Sequence, residues 1–219
     1  AICRDGTVAS TTLAANKAPP LNKSGQAMTC VQGRVVSAFL GAPEVLSKAA
    51  QTELEFALDG IVGDRHRGLS RRAWDLTDKQ PGGTERRNER QWSAVAQEDL
   101  NRVSETLGLG TPLTAGDVAV NLSIADVPSF SRLPRGTTLT FEGGVVLMVE
   151  EYNPPCSRMS RYIAEGHRAS MGTALGDTDF IEAAKFCRGL VGVVEVPGVV
   201  SVGEHVTVAA EILPKWLRA

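Results

Sequence analysis

The sequence lacks a charge excess, a long apolar run and any closely spaced set of metal-ligating residues. Lysine and arginine number 23 against 25 aspartates and glutamates, and this near balance argues against a general nucleic-acid binder. No run of about 18 apolar residues occurs, so no membrane span is expected. The N-terminal segment contains no contiguous hydrophobic stretch and is not typical of a secretory signal.

Cysteine and histidine are also scarce. The chain has 4 cysteines without a CxxC pair and 3 widely separated histidines. A structural zinc site needs ligands a few residues apart, and this spacing does not occur. Disulfide frameworks are typical of small secreted domains. We therefore expect a reduced cytoplasmic protein with separate thiols, while the Ser, Thr and basic residues near the N-terminus leave organellar import open.

Composition divides the chain into three segments. Residues 1–28 are polar and lack a clear helical period, so we expect a disordered leader or a non-native extension ahead of the domain. With 42% hydrophobic residues, the chain can build a sizeable core, and residues 29–213 are interpreted as a single domain. Residues 214–219 form the C-terminal tail.

Apolar periodicity predicts about seven strands joined by glycine-rich and proline-rich turns. The predicted strands cover residues 30–40, 92–96, 117–124, 137–141, 145–152, 190–196 and 205–212. Helical spacing is predicted over residues 42–58, 97–107, 156–164 and 178–186. Residues 64–90 are polar and predict a long loop. This pattern favours a mostly antiparallel β-barrel with peripheral helices.

One cysteine follows a Pro-Pro pair at the end of a predicted strand. Pro154 and Pro155 end that strand, and proline is well suited to the start of a helix. Cys156 is then expected in the first helical turn, where free N–H groups and the helix dipole favour an anion. Arg158 and Arg161 add positive charge, which also favours the reactive thiolate. The alternative is a buried cysteine that only fills space in the core.

Arginines are concentrated between residues 65 and 90. Arg65 and Arg67 follow a short apolar segment bounded by glycines, so we expect anchored side chains that bind a phosphate-bearing ligand. Arg86 and Arg87 follow a Pro-Gly-Gly turn without an apolar anchor, so we expect them to fluctuate and to contribute less. Solvated loop charge is the alternative for most of these arginines. No aromatic residues alternate with them, which disfavours nucleic acid.

Asp64 and His66 lie close enough in sequence to suggest an acid–base pair or part of a ligand set. Adjacent residues of an extended segment point to opposite sides, so direct cooperation is not expected and a polar structural role is preferred. His167 lies in a polar loop and His205 at the start of a strand, and neither is expected to have a chemical role.

Six stretches resemble, in order, the motifs of one protein family. They are G-I-V-G-D-R-H at 60–66, R-Q-W-S-A-V at 90–95, L-T-A-G-D-V-A-V-N-L at 113–122, L-P-R-G-T-T-L at 133–139, the strand into Pro-Cys at 145–156, and the glycine-rich end at 188–194 and 198–206. This order is similar to the MOSC domain, named from the C-terminal domain of molybdenum cofactor sulfurases. The resemblance covers residues 31–208.

The resemblance implies a MOSC-type β-barrel that binds the molybdenum cofactor, a molybdopterin. The family's Pro-Cys cysteine corresponds to Cys156, which would ligate molybdenum or carry sulfur as a persulfide. Relatives reduce N-hydroxylated compounds or deliver sulfur for metal–sulfur assembly, and the electron donor or cysteine desulfurase can be a separate protein. The residues expected at the cofactor are Asp64, Arg65, His66, Arg67, Asn121, Arg158 and Arg188.

Two departures from the family pattern concern the site. Many stand-alone members carry Glu-Asn where this chain has Val120 and Asn121, and residues 71–88 form a long insertion. No lysine lies in a recognisable pyridoxal phosphate setting, so the family's association with that cofactor does not extend to desulfurase chemistry here.

The leading hypothesis is therefore a molybdenum-cofactor protein that acts on small molecules through Cys156, either as an oxidoreductase or as a sulfur acceptor. The alternative is a non-catalytic module that carries the cofactor or sulfur for another enzyme. No nucleic-acid or membrane partner is expected.

Overall fold

The computed structural model describes residues 28–74, 78, 80–167, 172 and 174–211. The predicted leader at 1–28, apart from Met28, and the predicted tail at 214–219 lie outside the described residues. None of the described helices combines the length and the apolar character needed to cross a membrane.

The described residues are mostly β-strand, with a few short helices. The strands are β1 (Met28–Leu40), β2 (Ala49–Gln51), β3 (Glu53–Ala57), β4 (Gly60–Ile61), β5 (Ser70–Arg72), β6 (Glu85–Arg87), β7 (Trp92–Ala96), β8 (Leu122–Ala125), β9 (Thr138–Phe141), β10 (Val146–Tyr152), β11 (Leu190–Val196), β12 (Gly198–Ser201) and β13 (His205–Glu211). The helices are α1 (Gln97–Thr106), α2 (Ser157–Gly166) and α3 (Asp179–Ala183), with a 3₁₀ turn at Phe130–Arg132.

Seven strands close into a barrel in the order β13-β9-β10-β11-β7-β8-β1, and β1 pairs with β13 to complete the ring. Every neighbouring pair is antiparallel except β7 and β8, which are parallel. Parallel neighbours need a crossover connection, and α1 lies in the one between β7 and β8. The predicted mostly antiparallel barrel with peripheral helices is therefore confirmed.

Strand β7 lies between two apolar layers and is buried along its whole length. Trp92 and Ala94 belong to the cluster that fills the barrel. Val95 belongs to a second cluster outside the barrel, with Leu100 of α1 and Met159 of α2. The helices therefore cover one side of the barrel wall, next to the end of β10 where Cys156 follows.

Two sequence-based element predictions need correction. The helical spacing over 42–58 is wrong, because Leu54 and Phe56 are buried while Glu53 and Glu55 are exposed, which is the period of a strand. The strand predicted over 117–124 starts only at β8. Before β8, Ala119 has φ of 60° in the left-handed region, so the chain turns there despite its alternating apolar residues.

The long loop predicted over 64–90 contains the β5–β6 hairpin. The helix predicted over 178–186 is shorter, at Asp179–Ala183. The helices predicted over 97–107 and 156–164 are confirmed as α1 and α2. Local patterns were therefore most reliable where an apolar stripe faces the core.

Candidate functional site

A cavity of about 1040 Å³ opens between the loop after β1, the turns next to β4 and β8, and the start of α2. Its charged lining residues are five arginines and two carboxylates: Arg65, Arg71, Arg90, Arg158, Arg188, Asp78 and Glu151. The predicted site residues that line it are Arg65, His66, Asn121, Cys156, Arg158 and Arg188. The cavity therefore has a positive wall and gathers residues from distant parts of the sequence.

Asp64 is a buried carboxylate that joins three segments behind this wall. Its Oδ2 accepts hydrogen bonds from the Gly41 N–H at 2.9 Å, from Lys48 Nζ at 2.8 Å and from Asn121 Nδ2 at 2.8 Å. Burial alone would raise the pKa of Asp64, but the His66 hydrogen bond and the Lys48 charge hold it well below its usual range. Burial lowers the pKa of Lys48 to about 8, against the opposing effect of Asp64. Lys48 was not selected from the sequence, because it lies in the segment to which a helical pattern was assigned.

His66 contacts Asp64 directly, so the expected lack of cooperation is wrong. His66 Nδ1 lies 3.1 Å from Asp64 Oδ1, which also accepts the His66 backbone N–H at 2.9 Å. The two residues are two positions apart and follow a tight turn, so their side chains face each other. Burial lowers the pKa of His66 despite the opposing effect of Asp64, which favours the neutral ring. The ionised Asp64 fixes the proton on Nδ1 and leaves Nε2 as an acceptor.

Both polar atoms of the Asn121 side-chain amide form hydrogen bonds. Its Nδ2 donates to the Phe39 carbonyl at 3.0 Å as well as to Asp64, and its Oδ1 accepts from Ser93 Oγ at 2.9 Å. Asn121 is 1% exposed. Its contacts keep the turn before β8 in place. Ser93 was not selected from the sequence as a site residue, although it lies inside the R-Q-W-S-A-V stretch.

The guanidinium groups of Arg65 and Arg67 bind different partners. The Arg65 guanidinium donates to three carbonyl groups of the loop at 42–46, including that of Leu46 at 2.7 Å. Arg67 Nε lies 2.9 Å from both carboxylate oxygens of Asp59. Arg67 lines a smaller neighbouring cavity rather than the main one. Of these two arginines, only Arg65 lines the main cavity, which Cys156 also lines.

Cys156 lies exposed at the junction of β10 and α2. It is the N-cap residue of α2, with extended backbone, and its carbonyl accepts the Ser160 N–H at 2.9 Å. It therefore precedes the first helical turn instead of lying within it. The alternative of a buried, space-filling cysteine is wrong for Cys156. That description suits Cys187, which is 8% exposed and whose thiol pKa is raised by burial.

Two guanidinium groups meet on Asn153. Its Oδ1 accepts a hydrogen bond from Arg90 Nη2 at 2.6 Å and lies 3.4 Å from Arg188 Nη1. Arg188 also donates to the carbonyls of Pro154 at 2.7 Å and Val118 at 3.2 Å. Burial lowers the pKa of Arg188 to about 10, which leaves it charged at neutral pH. Arg90 and Asn153 were not selected from the sequence as site residues.

Arg86 is anchored, which corrects the expectation that it fluctuates. Its guanidinium forms ion pairs with Asp78 and Glu89, and its side chain is only 20% exposed. Arg71 binds the same two carboxylates, with both Asp78 oxygens at 2.7 Å. Arg87 pairs with the buried Glu150. The missed signal was the presence of acidic residues close in sequence to Arg71 and Arg86, namely Asp78 and Glu89.

The residues that the structure describes include no group of three or more His, Cys, Asp or Glu side chains placed to hold a metal ion.

Comparisons with known proteins agree with the barrel and with the family that the sequence motifs resemble. A family model described as MOSC domain matches residues 76–207. The curated protein "Putative metal-sulfur cluster biosynthesis proteins YuaD" of Bacillus subtilis (strain 168) is 31% identical over 157 residues, which is 71% of this chain and 79% of YuaD.

Two solved structures share the fold. The crystal structure of the YuaD protein from Bacillus subtilis has a TM-score of 0.78 at 24% identity, over 84% of this chain and 100% of that chain. YiiM from Geobacillus stearothermophilus has a TM-score of 0.53 at 14% identity, over 85% of this chain and 78% of that chain.

Proposed function

Because the chain belongs to the MOSC domain family, we propose that it binds a molybdenum cofactor in the arginine-lined cavity and uses Cys156 as a ligand to molybdenum or as a sulfur acceptor. The observation that carries this proposal is the exposed Cys156 thiol on the same wall as Arg158 and Arg188. A soft sulfur donor suits a soft metal centre, and guanidinium groups suit phosphate.

The residues present fit such a group. Cofactor sites are commonly clefts of roughly 300–1,000 Å³, and this cavity is of that order. Its excess of arginines over carboxylates attracts an anion. The Arg188 Nε is buried and has no hydrogen-bond partner among the described residues, which leaves a donor for a ligand.

The chain's own residues would have separate tasks. When bound, the cofactor would supply the redox chemistry for reduction of an N-hydroxylated small molecule, with electrons from a separate protein. Cys156 would hold the metal, while Arg65 and Arg158 would bind anionic parts of the ligand. His66, held by Asp64 through Nδ1, would accept or release a proton at Nε2.

A sulfur-carrier role uses the same thiol and is favoured by the name given to YuaD. The Cys156 thiolate would attack the terminal sulfur of a persulfide on a separate cysteine desulfurase. An S–S bond forms on Cys156, the donor's S–S bond breaks, and the donor cysteine leaves as a thiolate, with no net oxidation. The chain would then carry sulfur, or the cofactor itself, for another enzyme.

Two measurements on protein from a cofactor-competent host test this proposal. Molybdenum is measured by elemental analysis, and cysteine-bound sulfane sulfur by mass spectrometry after incubation with a desulfurase and labelled cysteine. Cys156→Ser should lose both, whereas Cys30→Ser is the matched control because Cys30 is also an exposed free thiol. If Cys156→Ser retained wild-type molybdenum and the wild type accepted no sulfur, the proposal would be wrong.

A further inference from the structure

Arg188 is a buried cation, and none of the residues that the structure describes pairs with it as an acidic partner. Its residue is 8% exposed, and its Nε has no hydrogen-bond partner among the described residues. The ionisable groups that act on it are Cys156, Arg90 and Tyr152, none of which is a carboxylate. Burial of an unpaired charge is costly, so such an arrangement calls for a compensating anion.

A second guanidinium group, that of Arg90, adds positive charge next to the buried Arg188. Arg90 Nη2 donates to the same Asn153 oxygen that lies next to Arg188, and Asn153 is a neutral residue with 2% exposure. Glu151, Glu89 and Asp78 act on Arg90 electrostatically, but none of these three carboxylates forms an ion pair with it. Two cations therefore converge on one neutral oxygen.

The neighbouring insertion shows the opposite arrangement. Arg71 and Arg86 share the carboxylates of Asp78 and Glu89, so their charges are neutralised within the chain. Asp78 and Glu89 thus pair with Arg71 and Arg86 rather than with Arg90 or Arg188. Arg90 and Arg188 both line the cavity that also contains Cys156.

We infer that Arg90 and Arg188, positioned by Asn153, form a binding site for an oxyanion group beside Cys156. The ligand is of the phosphate or sulfate class, whose several oxygens accept hydrogen bonds from two guanidinium groups at once. This inference deepens the proposed function, on which its biological meaning rests. The oxyanion would belong either to the bound cofactor or to an anionic substrate.

Inorganic phosphate is the probe, with binding measured by isothermal titration calorimetry at low ionic strength. Asn153→Asp keeps the shape of the side chain but places a carboxylate between the two guanidinium groups. We expect phosphate affinity to fall at least tenfold while the unfolding temperature is unchanged or higher, because the new charge neutralises the pair in the folded protein. Arg90→Gln and Arg188→Gln should also weaken phosphate binding at least tenfold.

Arg67→Gln is the matched control, because Arg67 pairs with Asp59 and lies outside the main cavity. It should bind phosphate as the wild type does. The inference is overturned if Asn153→Asp binds phosphate as tightly as the wild type, or if Arg67→Gln weakens binding equally. Arg188 also supports two backbone carbonyls, so if Arg188→Gln fails to fold, Asn153→Asp and Arg90→Gln decide the outcome.

Cys156→Ser separates this inference from the proposed function. The variant should still bind phosphate even though it is expected to lose molybdenum and sulfur. A wild type that binds no phosphate but shows Cys156-dependent molybdenum would refute the oxyanion site alone. Loading the protein with cofactor identifies the source of the oxyanion. If bound cofactor competes with phosphate, the site holds the cofactor's phosphate. If phosphate binding is undiminished, the site holds the oxyanion of a substrate.

Discussion

The side-chain amide of Asn121 donates to Asp64 Oδ2 at 2.8 Å and joins two turns that are 57 residues apart. The same carboxylate oxygen binds Lys48, and the other oxygen orients His66. Asp64 therefore couples the stability of the barrel end to the orientation of a cavity residue. Loss of this one carboxylate would affect both.

The buried ion pair gives a stability prediction. Asp64→Asn leaves Lys48 buried without a counter-charge, since the two side chains are 1% and 0% exposed. Breaking a buried pair in this way costs about 3–5 kcal/mol. Urea unfolding measures the loss. Asp59→Asn is the control, because its pair with Arg67 is partly exposed and is worth at most about 1 kcal/mol. Equal effects of the two substitutions would contradict the assigned role of Asp64.

The lowered pKa of Asp64 predicts a pH dependence. In the unfolded chain this carboxyl titrates near its ordinary value of 3.8, and in the folded protein it titrates well below that value. The unfolded state therefore binds more protons as pH falls below about 4, so the contribution of Asp64 is present above that pH and is lost in more acidic solution. Asp64→Asn should have a shallower loss of stability than the wild type between pH 4 and pH 2, measured by urea unfolding at each pH. Parallel curves for both proteins would show that Asp64 is not held ionised.

The three described cysteines should differ in their reaction with iodoacetamide. Cys156 and Cys30 are exposed, whereas burial both shields Cys187 and raises the pKa of its thiol. We expect peptide mass mapping to find Cys156 and Cys30 modified in the folded protein and Cys187 modified only after addition of denaturant. Rapid modification of Cys187 under native conditions would contradict its placement. Under the proposed function, bound cofactor should protect Cys156 and leave Cys30 reactive.

A glycine in the last motif gives a steric prediction. A Cβ at Gly192 would lie 1.9 Å from the Met148 carbonyl oxygen and 2.5 Å from the Trp92 ring. Because backbone atoms cannot move aside easily, Gly192→Ala should cost at least the ~1–3 kcal/mol typical of overpacking. Gly166→Ala is the control, because no atom lies within 4 Å of its added Cβ. Thermal unfolding compares the two, and a mild effect at Gly192 would show that β10 and β11 can separate without disrupting the barrel.

Several features of the site followed from local sequence. The Pro-Pro-Cys segment placed Cys156 at the start of α2 because proline ends a strand and favours the first positions of a helix. The alternation of apolar residues located β9 and β10 because each strand has one face toward the barrel interior. The helical pattern over 42–58 failed because β3 in that segment pairs with the distant strand β12.

Sequence alone therefore determined which segments form the barrel and where the cysteine follows β10, because these depend on neighbouring residues. Only the tertiary structure decided which residues each arginine contacts and whether an acidic residue pairs with it. Arg71 and Arg86 pair with Asp78 and Glu89 nearby in the chain, while Arg90 reaches Asn153 across 63 residues and Arg188 reaches it across 35. An arginine's role depends on whether a carboxylate lies within a few ångströms, and that distance is set by the closure of the barrel rather than by the order of residues along the chain.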